Sequence, residues 1–410
     1  MIFVQIAAYR DPEVLPTIQD CLGKAKFPND IRFGICWQRD DSDLALEPFK
    51  GNRCFRIDEI PWHESGGLCW ARSRIQKLYE GEEFTLQIDS HHRFAEDWDA
   101  KLLSFMELTG SPKPLLTSYA GAYDPRTNEK KGNQPHMMVG KKFSEHGTIP
   151  FHPHVIGEWQ KLEAPVRARF VSGHFFFTLG RHCEEYHYDP NLYFAGDEIS
   201  LSIRSFTLGF DLFHPHRAVI WHEYTRKGRV KHWDDHVESN RALVGQTWHE
   251  RDTISKRRLR KLLREEENDE DLSGYDLGSA RSHRDYELYA GIDFASRRLH
   301  QDAMDGVHPP CVYVDAEQWA QSFPSEHRLE LRWNFSDLER CDDVRFVYFG
   351  VEDSFGAVIY RYDAPPESDE AQLRANTKKI QIFAKTVPAK LVVWPVSVSR
   401  GWLRKVVYPL

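Results

Sequence analysis

The first ninety residues carry apolar stretches at near-regular intervals, and this alternation limits the chain to few architectures. "IFVQIAAY" (2–9), "IRFGICWQ" (31–38), "RCFRIDEIP" (53–61) and "EFTLQID" (83–89) read as strands. Between them "DPEVLPTIQDCLGKA" opens on an Asp-Pro start and keeps helical spacing at Val14, Ile18, Cys21 and Leu22. "GLCWARSRIQKLYEG" (67–81) predicts a second helix, stopped by Gly81, and "AEDWDAKLLSFMELTG" (95–110) a third. A strand apolar over nearly its whole length, such as 31–38, belongs inside a parallel sheet covered on both faces. Strands and helices in turn therefore imply a doubly wound α/β layer, which binds ligands at the carboxyl ends of its strands. Those ends are Tyr9-Arg10, Trp37-Gln38 and Asp89-Ser90-His91.

Downstream the texture changes twice. Residues 111–165 are rich in Pro, Gly and His and read as loop. "ARFVSGHFFFTLG" (168–180) returns to strand, "DEISLSIRSFTLG" (197–209) to helix, and "FDLFHPHRAVIWHEY" (210–224) to one or two short strands. Within 251–285, "SKRRLRKLLREEENDEDLSG" passes from a basic block to an acidic one, as a solvated helical linker would. Beyond about residue 300, "HRLELRW", "DVRFVYFGV", "GAVIYRYDA", "KKIQIFAK" and "KLVVWPVSV" alternate apolar and polar residues between turns, which predicts a small β-sandwich or barrel. A chain of 410 residues exceeds what one core usually organises. The expected division is a catalytic domain over 1–250, a charged linker over 251–299 and a β-rich accessory domain over 300–410.

Composition narrows the partners. A formal net charge of −8 excludes nucleic acid as the main one, since a phosphate-backbone binder carries a basic excess. The seven cysteines are scattered and include no CxxC pair, so a zinc knuckle is not expected and reduced cytoplasmic thiols are. The apolar start lacks a basic n-region and a cleavage site, and no stretch approaches the roughly 20 apolar residues that cross a bilayer. The expectation is a soluble cytoplasmic protein.

One short segment carries chemistry. In "FTLQIDSHHRF" (84–94) the strand ends on Asp89, with His91 two positions on. An acid and an imidazole so spaced can meet on one ion where the chain leaves its pleat, and mixed oxygen and nitrogen donors suit Mn²⁺ first and Mg²⁺ second. His92 is expected to turn away. His222 in "VIWHEYTR" follows another apolar strand and would complete an Asp-His-His set, while Arg72 and Arg74 in "GGLCWARSRIQ" offer cations on the preceding helix. A divalent ion of this kind neutralises a diphosphate leaving group.

The chain resembles the family of GlcNAc-transferases typified by the Skp1 hydroxyproline GlcNAc-transferase. The resemblance rests on "IFVQIAAYRDPEVLPTIQDCLGKAKFP", "IRFGICWQ", "ARSRIQKLYEGEEFTLQIDSHHRFAEDWD", "YDPNLYFAGDEISLSIRSFTLGFDLFHP", "HEYTR" and "YELYAGIDF", which fall in order over roughly residues 1–295. It implies a GT-A (Rossmann-like) fold, a UDP-GlcNAc donor, a divalent metal, and transfer to an acceptor hydroxyl on protein, peptide or glycan with retained configuration. A similar Asp-x-His plus distant histidine serves the polypeptide GalNAc-transferases. By that resemblance Asp89, His91 and His222 are metal ligands; Ala8, Tyr9, Arg10, Trp37, Gln38 and Ser90 surround the nucleotide; and Arg72 lies near uracil or the diphosphate. "FVSGHFFF" would floor the donor sugar and acceptor, with Gly173 and His174 facing them. Asp197 and Glu198 in "FAGDEISL" would bind sugar or acceptor hydroxyls, or serve as general base if the enzyme inverts. They would otherwise cap their helix. The last hundred residues lie outside the resemblance; acceptor binding, homo-oligomer formation and cover for a sheet edge are the roles open to them. A non-catalytic sugar binder and a metal-dependent hydrolase are the alternatives. The hydrolase would require a second metal cluster or an H-E-x-x-H helix, which the sequence lacks.

Overall fold

Strands β1 (Ile2–Tyr9), β2 (Ile31–Arg39), β3 (Phe55–Pro61) and β4 (Phe84–Asp89) pair in parallel, in the spatial order 4-1-2-3. The computed structural model describes residues 1–144, 147–311, 315–364 and 376–410. The two faces of this layer are filled by different helices because alternate residues of a strand point to opposite sides. Ile2, Val4, Ile6 and Ala8 of β1 pack with α1 (Val14–Lys24) and α3 (Trp98–Leu108). Phe3 on the other face packs with Ala71 and Ile75 of α2 (Leu68–Gln76).

The described residues of the segment 111–165, expected as loop, hold five short strands: β6 (Pro114–Thr117), β7 (Gly121–Asp124), β8 (Glu129–Lys130), β9 (His136–Gly140) and β10 (Phe151–Val155). They follow the three-residue β5 (His92–Phe94). At two to five residues each they are too short to display a period, which is why the sequence concealed them. β11 (Val166–Arg167), β12 (Phe175–Leu179), β13 (Asp211–His214) and β14 (Ile220–His222) come next. The main sheet has eight strands in the order 11-13-6-12-4-1-2-3, with β12 antiparallel to both β4 and β6. A smaller sheet, 5-14-7-8, adjoins the end of β4. This is the α/β arrangement of GT-A type that the resemblance implies.

The remaining α-helices among the described residues of this unit are α4 (His182–Glu185), α5 (Asp197–Thr207), α6 (His232–Asp235), α7 (Arg241–Val244), α8 (Trp248–Leu262), α9 (His283–Ala290) and α10 (Gln301–Asp305). The charged stretch expected to link domains instead belongs to the first unit, Met1–Val312. Leu259 and Leu263 share a core with Ile199 and Ile203 of α5 and with Tyr286 and Ala290 of α9. The acidic block folds back on the basic one, pairing Arg257 with Asp269 and Arg260 with Glu266. Opposite charges close the segment on itself where the linker reading left both solvated.

The second unit, Tyr313–Leu410, is β-rich as expected. Strands Ser325–Arg332 and Thr377–Ala384 form one antiparallel pair. Val358–Ala364, Val344–Asp353, Pro388–Ser397, Gly401–Trp402 and Val406–Pro409 form the other sheet. Leu331 and Ile382 from the pair meet Phe349, Leu391 and Val393 from the sheet in one core, which makes the unit a small sandwich.

Candidate active site

The carboxyl ends of β1, β2 and β4 open into a cleft of about 590 Å³, its solvent-facing mouth included. Strand pleat decides which of the expected nucleotide-side residues reach it. Ala7, Tyr9 and Gln38 line the cleft, with Ser90 and His91 beside them. Ala8 and Trp37 have the opposite parity and lie in the hydrophobic core, where the Trp37 indole N–H donates to Asp43 Oδ2 at 2.8 Å. Arg10 adopts φ +45° and turns the chain out of β1. Its guanidinium is paired with Asp40 at 3.0 Å and Asp235 at 2.7 Å, and so ties α6 to the strand end.

Asp89, His91 and His222 converge at the cleft. β4 ends on Asp89, and after a two-residue bend β5 pairs antiparallel with β14, setting His92 opposite His222. The Glu223 N–H then donates to the His91 carbonyl at 3.2 Å, so strands about 130 positions apart bring both imidazoles to one carboxylate. Asp89 Oδ2 stands 3.4 Å from His222 Nε2 and 3.9 Å from His91 Nε2. All three ligand atoms lie within 4.8 Å of one another. Both Nε2 atoms are buried and, the Asp89 carboxylate apart, have no polar partner. Buried nitrogens left unpaired cost free energy unless something absent from the protein binds them, so the donor set fits a divalent cation. Burial and the neighbouring His174 hold His222 well below its ordinary range, in the neutral form that ligates. Burial alone would raise Asp89, but the His222 and His91 imidazoles and the Arg72 guanidinium keep it ionised. His92 lies outside the set, with its Nδ1 3.1 Å from the Asp89 carbonyl.

Among the described residues one other group has metal-like spacing, His300, Asp302 and Cys311. There the His300 Nδ1 already accepts the Asp302 N–H at 3.1 Å, and Arg169 stands 3.2 Å from the sulfur. A helix cap beside a guanidinium does not suit a cation.

Opposite the cation set, α2 and α5 meet around Arg72. This side chain is buried, and its contacts are with the protein: Asp197, the Gly173 carbonyl, and Asp89 at 3.3 Å. It therefore braces the ligand carboxylate from behind. Arg74 is spent on Asp58. Asp197 is buried against Arg72 and Cys69. Glu198 is half-buried and accepts the Gly173 N–H at 3.1 Å. Burial raises its acid to about 8. The sequence leaned towards Asp197 for sugar contact; the geometry commits Asp197 to Arg72 and leaves Glu198 the freer carboxyl. Gly173 is needed for its small size, because a Cβ there would stand 2.8 Å from Asp197 Oδ2. His174 accepts the Ala120 N–H at Nε2 (3.1 Å), which places its proton on Nδ1 facing Ser172 Oγ (2.9 Å). Its ring stacks on His222 at 4.4 Å, so His174 supports a cation ligand and has no ring nitrogen left for a sugar.

The family model described as "Glycosyltransferase (GlcNAc)" matches residues 1–53 and 47–296, which is more than half of the chain and takes in every residue of this site. The chain belongs to the GlcNAc glycosyltransferase family. No curated protein matches it. Among solved structures it is similar to GalNAc-T7, crystallised with UDP, GalNAc and Mn²⁺, at 14% identity and a TM-score of 0.49 over 68% of this chain and 55% of that one. It is also similar to S. aureus TarS 1-349, at 13% identity and TM-score 0.37 over 54% of this chain and 60% of that one. The TarS complex with UDP-GlcNAc gives 13%, 0.34, 59% and 64%. The chain thus spans a little over half of GalNAc-T7 and under two thirds of TarS 1-349.

Several residues that this family member brings to the site carry no mark in the sequence. Tyr193, His232 and Trp233 line the cleft from stretches to which the sequence assigns no element. Tyr193 Oη and His232 Nδ1 share a hydrogen bond of 2.8 Å. Asp11, which the sequence marks only as a helix start, also bonds His91 Nδ1 at 2.7 Å. The signal for Tyr193, His232 and Trp233 is aromatic and imidazole side chains in stretches without helical or strand period. No local pattern marks Asp11.

Proposed function

We propose that the first unit is a divalent-metal-dependent glycosyltransferase. It moves a hexosamine, GlcNAc from UDP-GlcNAc, onto an acceptor hydroxyl of a protein, peptide or glycan in the cytoplasm, with configuration retained. The second unit is an accessory domain. The observation that carries this reading is the meeting of Asp89 with two buried, otherwise unpartnered imidazole nitrogens from distant strands, at the mouth of a cleft formed by strand ends. Asp89, His91 and His222 would hold the cation, Mn²⁺ by its mixed donors. Bound there, it neutralises the diphosphate as the glycosidic bond breaks. The family's name supports GlcNAc as the sugar.

The chain's own groups support retention. Arg72 fixes the Asp89 carboxylate from the protein side and holds Asp197 away from base chemistry. With its acid raised to about 8 by burial, Glu198 holds its proton at neutral pH in the metal-free protein and can donate a hydrogen bond. A front-face route needs no protein base, because a departing phosphate oxygen takes the acceptor proton. Tyr9 and Gln38 flank the nucleotide side of the cleft. Release of free UDP from a panel of UDP-sugars, with Mn²⁺ and with EDTA, tests the reading. UDP-GlcNAc should be turned over only with the metal; no release from any donor, with no Mn²⁺-dependent binding of UDP, would sink it.

A further inference from the structure

We propose that Asp11 is a positioning residue. It joins the His91 imidazole to the chain that follows His222, so that a cation held by Asp89, His91 and His222 also orders residues 226–236 over the cleft. The inference rests on the metal reading above and adds a partner to it. Asp11 is buried, and both of its oxygens are used. Oδ2 lies 2.7 Å from His91 Nδ1 and accepts the Ser90 hydroxyl at 2.8 Å. Oδ1 accepts the Glu13 N–H at 3.0 Å and Arg229 Nη1 at 2.6 Å. A start to α1 requires only the Glu13 bond. The His91 and Arg229 contacts reach across 80 and 218 positions, and capping does not explain them.

An ionised carboxylate only accepts, so its bond to His91 places the ring proton on Nδ1. The lone pair is then on Nε2, the atom that faces Asp89 and has no other polar partner. A carboxylate behind a ligating imidazole fixes its tautomer and its orientation. The link continues from there. Arg229 pairs through Nη2 with buried Glu223. Glu223 Oε1 accepts the Arg226 N–H at 2.6 Å and the Thr225 hydroxyl. Arg226, His232 and Trp233 then line the cleft. One buried carboxylate is thereby in contact with both a cation ligand and the anchor of a cleft wall.

The test uses the full chain and Mn²⁺ alone. Metal affinity is read from the electron-paramagnetic signal of free Mn²⁺, and order from backbone hydrogen exchange of the 226–236 peptides with and without metal. In the unmodified protein Mn²⁺ should slow exchange in these peptides severalfold. Asp11→Asn should weaken Mn²⁺ by about 10–100-fold, and at concentrations that saturate the variant the slowing should be lost. Arg229→Gln leaves Asp11 on His91, so its Mn²⁺ affinity should stay within about threefold while the slowing disappears. Slowing retained in Arg229→Gln would show that order travels through His222 itself and would overturn the proposal, even if Asp11→Asn fails to fold by circular dichroism. Mn²⁺ binding to folded Asp11→Asn with unchanged affinity would also overturn it. An unmodified protein that binds no Mn²⁺ would bring down the metal reading and this inference together; binding without any effect on 226–236 would remove the inference alone.

Discussion

The two units bury very different material. In the first, charged and imidazole side chains are packed inside, among them Asp11, Arg72, His91, His174, Asp197, His222 and Glu223. In the second, the buried polar residues among those described are Asp353 and Ser397, around a core of Leu, Ile, Val, Phe and Trp. Burying a charge without full compensation costs several kcal/mol, whereas an apolar sandwich core has no such cost. A fold retains such a burden where the groups do chemistry. The family match stops at residue 296, close to the end of the polar-cored unit. The contrast teaches that in this chain polarity of the interior, more than size or secondary structure, separates the unit that carries the family match from the one that does not.

The largest expected effect falls on the first unit. Asp89→Asn removes the charge shared by two imidazoles and Arg72. Mn²⁺-dependent UDP release should fall at least about a thousandfold, equal to roughly 4 kcal/mol of transition-state stabilisation. Circular dichroism should remain that of the parent. Turnover within tenfold of the parent would break the link between the polar interior and chemistry. The mirror experiment is Leu391→Ala, in the apolar core of the second unit. It should destabilise that unit by about 2–5 kcal/mol and leave UDP release from donor alone within about twofold at a temperature where the unit stays folded. A loss of donor turnover parallel to Asp89→Asn would make the second unit part of the reacting machinery.

Smaller, and confined to the first unit, is Gly173→Ala. The added Cβ would meet Asp197 Oδ2 at 2.8 Å, with Arg72 Nη1 at 3.4 Å. Asp197 must then move off Arg72 or the backbone must shift, at a cost of about 1–3 kcal/mol. A melting temperature equal to that of the parent would show that the Arg72 clamp is looser than its contacts suggest.

How much of this could be read beforehand depended on how local each signal was. The β1–β4 layer was legible because each strand carries its own apolar run and each helix its own spacing. The Asp89–His91 pair was legible for the same reason, at two residues' separation. His222 was legible as an imidazole at a strand end that could complete the set, but its place beside His91 comes from β5 pairing with β14, which no local pattern shows. The roles of Ala8 and Trp37 were misplaced by parity: a strand end names a neighbourhood, and the pleat decides which alternate residues face it. Asp11 was invisible because its four uses, at Glu13, Ser90, His91 and Arg229, lie at separations of 2, 79, 80 and 218. The 251–299 stretch was misread because charge blocks were judged by sign, without asking whether they could pair with each other.

A last comparison turns on sign, not on size. Glu198 in the first unit has its acid raised to about 8 by burial. Its folded form therefore holds a proton that the unfolded chain has released above the ordinary carboxyl range. Its contribution to stability is complete at low pH and is lost as pH rises from about 4.5 through about 8. Asp353 in the second unit has its acid lowered, chiefly by the Ala357 N–H at 2.9 Å, with the Phe355 N–H at the same distance. Its contribution is present above about pH 4 and lost as pH falls. In metal-free buffer, urea unfolding followed by hydrogen exchange in peptides of each unit should separate the two. Glu198→Gln should match the parent near pH 5 and gain on it towards pH 9, in first-unit peptides only. Asp353→Asn should trail the parent at pH 7 and converge with it below pH 4, in second-unit peptides only. If both variants change stability with the same sign of pH dependence, the two interiors are not electrostatically distinct, and the argument that polarity marks the reacting unit fails with them.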